Sequence, residues 1–359
     1  MKKLIIMSYC LCLMGLSFLA SCSDVGQDSV PGGNSSAEWL IPSSEVFDGG
    51  PGKDGIPSID KPKFSDVSGI DFLSDNDLVI GIKVGNEVRA YPHSILDWHE
   101  IVNDKIGNLP IAINYCPLTG TGIGWKREIK GQETTFGVSG LLYNTNLILY
   151  DRKTDSRWSQ MLLTSVNGEM IGAEADTYPV VETTWKTWKT LFPNSKVLNK
   201  NTGFSRNYGV YPYGSYRTNH DLLIFPVSRD DNRLPRKERG LGIILGGRAK
   251  FYPLQSFGGG TVQVVQDQFF ERELVLAGSA GQNFLVVFER RLPDGTLLDF
   301  QASSQVGQPI VMTDSEGNQW NIFGEAVAGP RQGTQLKPLE SYIGYWFAWA
   351  TFYPDIQIF

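Results

Sequence analysis

Cysteine is nearly absent from this 359-residue chain: four are present, at positions 10, 12, 22 and 116. Three of them crowd the amino terminus. Only Cys116 lies in the body of the chain, so no internal disulfide can staple it, although an exported protein could carry one. Histidine is as scarce, with His93, His99 and His220 the full set. Chemistry that needs imidazole or thiolate has very few positions to use. Basic runs are missing too. Lysine and arginine total 32 against 38 acids, a net charge of −6, which argues against a nucleic-acid partner. Beyond the first turns of the chain, no apolar stretch reaches the ~18 residues that span a bilayer.

The amino terminus is distinctive. Met1-Lys2-Lys3 precedes an apolar run from Leu4 to Ala20. This is the charged n-region and short h-region of a secretory signal, not a spanning helix. The run ends Leu19-Ala20-Ser21-Cys22, the pattern of a bacterial lipobox. Residues 1–21 are therefore expected to leave as a lipoprotein signal peptide, and the thiol of Cys22 to accept lipid. Two or three acyl chains anchor a protein far more firmly than one. Loss of Lys2 and Lys3 takes the net charge from −6 to −8. Ser23 after the cysteine fits sorting to the outer membrane in a Gram-negative cell. The expected address is the cell envelope, with the membrane as partner through the lipid. Residues 22–50, rich in Ser, Gly, Asp and Pro, read as a flexible tether.

The body of the chain repeats itself. Gly81-Ile82 and Tyr91-Pro92 recur as Gly242-Ile243 and Tyr252-Pro253. Trp185, Trp188 and Pro193 recur as Trp346, Trp349 and Pro354. The offset is 161 each time, and tryptophan is too rare for this to be chance. The spacing predicts two divergent homologous repeats, about 79–198 within a first unit 51–198, and a second unit 240–359, joined by a connector 199–239. Trp185, Trp188 and Phe192, like Trp346, Trp349 and Tyr353, fall at helical spacing and predict one apolar helix face in each half, packed in the core and stopped by Pro193 and Pro354. Another short helix is expected near Ser94–Trp98. The rest consists of short apolar or alternating runs bounded by Gly, Pro, Asn and Asp, with hairpin turns in "IKGQE" and "LPDGT". The expected fold class is mainly β, of α+β type, with short strands and a few short helices. "PLTGTGIGW" meets neither the phosphate-loop nor the dinucleotide pattern, so Gly120, Gly122 and Gly124 read as turn and close-packing glycines.

Cys116, His93 and His99 fall within 24 residues. At the offset of 161 they map to Ala277, Leu254 and Gly260. Reactive groups kept in one half only are what a single functional site leaves behind. Two imidazoles and a thiolate suit copper or zinc, so a metal site formed by Cys116, His99 and His93 is the first functional expectation. His93 and His99, six apart, do not share a helical face, so a turn must bring them together. The alternative is a thiol-dependent enzyme, with Cys116 as nucleophile, His99 as base and Glu100 orienting the imidazole. Against both stands a hydrogen-bonded structural His99 and a small buried Cys116. A third expectation is a surface module for glycan or protein. Here Tyr143, Asn144, Arg157, Gln160, Arg206, Tyr208, Tyr213 and Tyr216 would line a groove, unless they are hairpin ends and surface aromatics. The charged stretch "DDNRLPRKERG" reads as a solvated loop.

The ordered motifs "DGIPSIDKPKF", "VRAYPHSILDWHEIVND", "INYCPLTGT", "FGVSGLLYNTNLILYDRKTDSRWSQ", "TTWKTWKTLFP", "TGFSRNYGVYPYGSY" and "DNRLPRKERGLGI" together resemble the bacterial family catalogued as domain of unknown function 3179. The resemblance runs from about Asp54 to the end. It implies an exported protein and no particular activity. Members often read Cys-Pro-Leu-Cys where this chain has Cys116-Pro117-Leu118-Thr119. Thr119 departs from that pattern, which weakens any two-thiolate role here.

Overall fold

A computed structural model describes residues 38–303 and 310–359. The expected signal peptide and Cys22 lie outside them. Strands dominate, joined by three short α-helices among the described residues: α1 (His93–His99), α2 (Trp185–Leu191) and α3 (Trp346–Phe352). No helix among them is long and apolar enough to cross a membrane. The expected tether is packed down in its described part. Val46–Asp48 pairs antiparallel with Phe136–Tyr143, and Ile41 is buried beside Ile148 and Val166. The apolar residues interleaved among the polar ones from Trp39 onward hold this segment on the domain.

One sheet in each half has a matching strand order. In the first, strand 181–184 lies beside 78–84, then 87–92, then 196–198. In the second, 340–345 lies beside 239–245, then 248–253, then 357–358. The last pairing is parallel in both sheets. A three-stranded antiparallel meander follows each opening hairpin, over 101–126 and over 263–289. Recurring side-chain bonds mark the correspondence. The Tyr91 hydroxyl donates to Asp104 and that of Tyr252 to Asp267, at 2.6 and 2.8 Å. The indoles of Trp158 and Trp320 donate to Asp151 and Asp314, at 3.0 and 2.9 Å. Within the meanders the offset is 163, so Cys116, which ends its strand, corresponds in place to Ser279 and not to Ala277.

The tryptophan helices follow from glycine. Trp188 and Trp349 are fully buried. A Cβ on Gly81 would stand 1.9 Å from the Trp188 ring, and one on Gly242 would stand 2.3 Å from the Trp349 ring. Only a strand residue without a side chain lets these indoles lie flat on the sheet. Thr184 caps α2 through its side chain, whereas Tyr345 before α3 offers no such bond. Both helices end before the prolines, as expected.

The halves interlock. The amide of Tyr345 donates to the Thr119 carbonyl at 2.8 Å, and the amide of Thr184 donates to the Gln282 carbonyl at 3.2 Å. Each half thus lays the strand before its tryptophan helix against the turn region of the other's meander. The connector packs across this junction. Its Tyr216 hydroxyl donates to the Leu118 carbonyl at 2.8 Å. The stretch read as a solvated loop is instead stapled down: Arg233 binds Asp231 and the Ile356 carbonyl, and Lys237 is buried with its ammonium held by the carbonyls of Tyr216, Asn219 and Leu222.

Candidate functional site

The expected metal set is not assembled. Among the described residues no three His, Cys, Asp or Glu side chains are placed to hold one metal ion. Each expected ligand has its own business. His99 is 0% exposed, with Nδ1 2.7 Å from the Pro57 carbonyl and Nε2 2.7 Å from the Tyr208 hydroxyl. Both ring nitrogens are engaged, and burial depresses its basicity. Cys116 is 1% exposed, and its Sγ meets the Thr145 carbonyl at 3.8 Å. Burial, with Glu100 nearby, pushes the thiol up to about 11. At neutral pH it is a thiol and not a nucleophilic thiolate. Glu100 does not orient His99. It accepts from the Tyr213 hydroxyl at 3.3 Å, and burial raises its carboxyl to about 8.

The expected aromatic groove is also taken apart. Gln160 and Tyr216 are fully buried, and Gln160 sits in an interior network with Asn146, Thr121 and Asn114. Tyr208 alone of that group lines the cleft described next.

His93 faces elsewhere, into a cleft of about 790 Å³ walled by the first half, the connector and the second half. It opens α1 directly after Pro92, whose extended backbone turns the strand into the helix. The imidazole lies against Tyr115, ring centres 4.4 Å apart. Its Nε2 stands 3.3 Å from Glu182 Oε2, near enough for an ion pair but off the line of a hydrogen bond. Glu182 projects from strand 181–184. Its Oε1 accepts from Arg239, the last connector residue and the first of strand 239–245, and from Asn283 Nδ2 at 3.0 Å. Arg239 in turn donates to Asn283 Oδ1 at 2.7 Å. Burial alone would raise Glu182, but Arg239 and then His93 outweigh it and hold the carboxyl down at about 2.

One turn along α1, Asp97 points into the same cleft. Its Oδ2 accepts from Arg217 of the connector at 2.7 Å, and that guanidinium lies 3.6 Å above the Tyr211 ring. Burial raises the Asp97 carboxyl, with Arg217 and His93 pulling the other way. Asp97 is 3% and His93 4% exposed. Asp97 Oδ1, Ser94 Oγ and His93 Nε2 are all buried without a hydrogen-bond partner among the described residues. Native proteins rarely leave such groups unpaired away from water. Tyr115 and Tyr345 complete the wall. Gly120 permits this, since a Cβ there would press on the Tyr345 ring at 3.1 Å and its φ is +64°.

Glu182, Arg239, Asp97 and Arg217 escaped the sequence reading. A signal for two of them existed. At the offset of 161, Glu182 answers to Ile343 and Arg239 to Leu78. His93 answers to Leu254, which shares an apolar cluster with Ile343. The charged trio on one side of the junction is thus replaced by hydrocarbon on the other.

Comparison with known proteins adds one finding. The model of a family described as a protein of unknown function (DUF3179) matches residues 53–356. No curated protein and no solved structure matches the chain.

Proposed function

We propose, from the premise that this chain belongs to the DUF3179 family, that it is a lipid-anchored envelope protein whose interlocking halves bind a small polar ligand in the His93–Asp97 cleft. Every residue of that cleft falls inside the span matched by the family. One observation carries the binding reading: His93, Ser94 and Asp97 all line the cleft, and each keeps a buried polar atom that makes no hydrogen bond among the described residues. A ligand's donors and acceptors would satisfy them, and the cleft volume falls in the ~300–1,000 Å³ range of small-molecule sites. Neither a metal nor a thiolate is part of this reading.

The test is a thermal-shift screen of the full-length protein against classes of small polar compounds. A ligand at about 100 times its Kd stabilises the fold by ~2.7 kcal/mol. Asp97→Asn and His93→Ala should abolish the shift. The reading fails if no class stabilises the protein, or if hits stabilise both variants as well as the parent. Anchoring rests on the lipobox and Cys22, and is checked separately by labelling cells with an alkynyl fatty acid. Label should enter the parent and be lost in Cys22→Ser; equal label in both removes the anchor from the proposal.

A further inference from the structure

The chemistry of the cleft narrows the ligand, an inference that rests on the cleft being a ligand site. Both guanidiniums in its wall already face carboxylates, Arg217 with Asp97 at 2.7 Å and Arg239 with Glu182, and the ammonium of Lys237, also in the lining, is taken up by the carbonyls of Tyr216, Asn219 and Leu222. A carboxylate or phosphate approaching either arginine would meet the paired acid within the same few ångströms. The attraction and repulsion nearly cancel, while the cost of stripping water from the anion stays. An ammonium group suffers the mirror-image problem. A neutral hydroxyl does not, because it both donates and accepts. It can donate to the unpartnered Asp97 Oδ1 while a neighbouring hydroxyl accepts from Arg217, whose Nη2 is its only nitrogen with a protein acceptor among the described residues. Ser94 Oγ, also unpartnered, serves either role. Tyrosines 115, 208, 211 and 345 line the same space. Their rings give apolar surface for C–H faces and keep a polar tip.

We propose that the cleft takes a neutral, polyhydroxylated ligand of the saccharide class, held by the Asp97–Arg217 pair and by Ser94 against tyrosine surfaces.

Isothermal titration of the full-length protein tests this, with neutral oligosaccharides (cellobiose, maltotriose and diacetylchitobiose) beside galacturonate and glucose 6-phosphate. The expected result is saturable binding of a neutral sugar with Kd below about 1 mM, changing little as salt rises from about 0.05 to 0.5 M. Ser94→Ala is the decisive variant. Its hydroxyl has no partner inside the protein, so its loss should leave thermal stability unchanged or slightly raised while sugar affinity falls several-fold. Tighter binding of the anionic sugars, a steep salt dependence, or no sugar binding at all overturns the assignment. If an amine or an anion instead binds in a manner that needs Asp97, the ligand class falls and the cleft reading stands. If nothing binds there, both fall.

Discussion

Glu100 follows α1 in a left-handed backbone conformation, φ 58°, and its carboxyl is raised to about 8 by burial, which the Tyr213 bond only partly offsets. The folded state therefore holds this proton where the unfolded chain, with an ordinary carboxyl near 4.5, has released it. Stability from this group is full below about pH 4.5 and drains away as pH climbs toward 8, at ~1.4 kcal/mol per pKa unit at most. Glu100→Gln keeps an acceptor for Tyr213 and removes the titration. Urea unfolding of parent and variant should agree near pH 4 and diverge by a few kcal/mol at pH 8, with the variant more stable. Parallel pH profiles would refute the account. Glu100 also shows what could be read from residue types alone. Its nearness in sequence to His99 and Cys116 suggested a catalytic trio, but proximity along a chain says nothing about which way side chains leave a helix. Of the scarce reactive residues, His93 entered the cleft, while His99 became a structural brace and Cys116 a packed thiol. The single-half rule singled out all three, and applied to charges as well as to imidazoles it would have picked out Glu182 and Arg239 too.

At the scale of elements, the tryptophan helices were legible because their determinants are local. Trp185–Trp188 and Trp346–Trp349 at i, i+3 before a proline mark a short helix in each half, one-faced in α2 and buried on every side in α3. Strand order was not legible, since a parallel return of 196–198 onto 87–92 depends on what the intervening hundred residues do. The repeated glycines link the two levels. Gly81 and Gly242 are strand residues that earn no propensity and exist to seat an indole. Gly81→Ala should force Trp188 out of its place, and Gly242→Ala should do the same to Trp349. Overpacking of a fixed backbone contact costs about 1–3 kcal/mol or more. Denaturant unfolding should show a loss of at least ~2 kcal/mol for each, together with a red shift in tryptophan emission. Gly85→Ala is the control: a Cβ at that turn meets nothing within 4 Å, leaving only the cost of its positive φ.

At the scale of the molecule, the two halves share the strand order of one sheet and also depend on each other. Matched aspartate bonds to Tyr91 and Tyr252 and matched amide bonds from Thr184 and Tyr345 recur at corresponding places. The reciprocal crossing of strands means that neither half owns a complete core. Trp346 and Trp349 share one buried cluster with Cys116, Trp125 and Trp158 of the first half, and Val181 of the first half lies in a cluster otherwise built from residues 275–336. An excised 240–359 fragment would expose much of α3 to water, at roughly 25 cal/mol for each Å² of apolar surface. Residues 51–239 would likewise lose the second-half surface against which Val181 packs and the Gln282 carbonyl that Thr184 binds. The whole chain should therefore unfold in one cooperative calorimetric transition, and neither fragment should show a dispersed amide spectrum when expressed alone. Mixing the two fragments should restore that dispersion if the crossing bonds at Thr119 and Gln282 are what complete the cores. Two separated transitions, or a well-folded isolated half, would mean the halves are independent domains. The cleft would then be a gap between bodies, with no fixed geometry to hold His93, Glu182 and Arg239 in register.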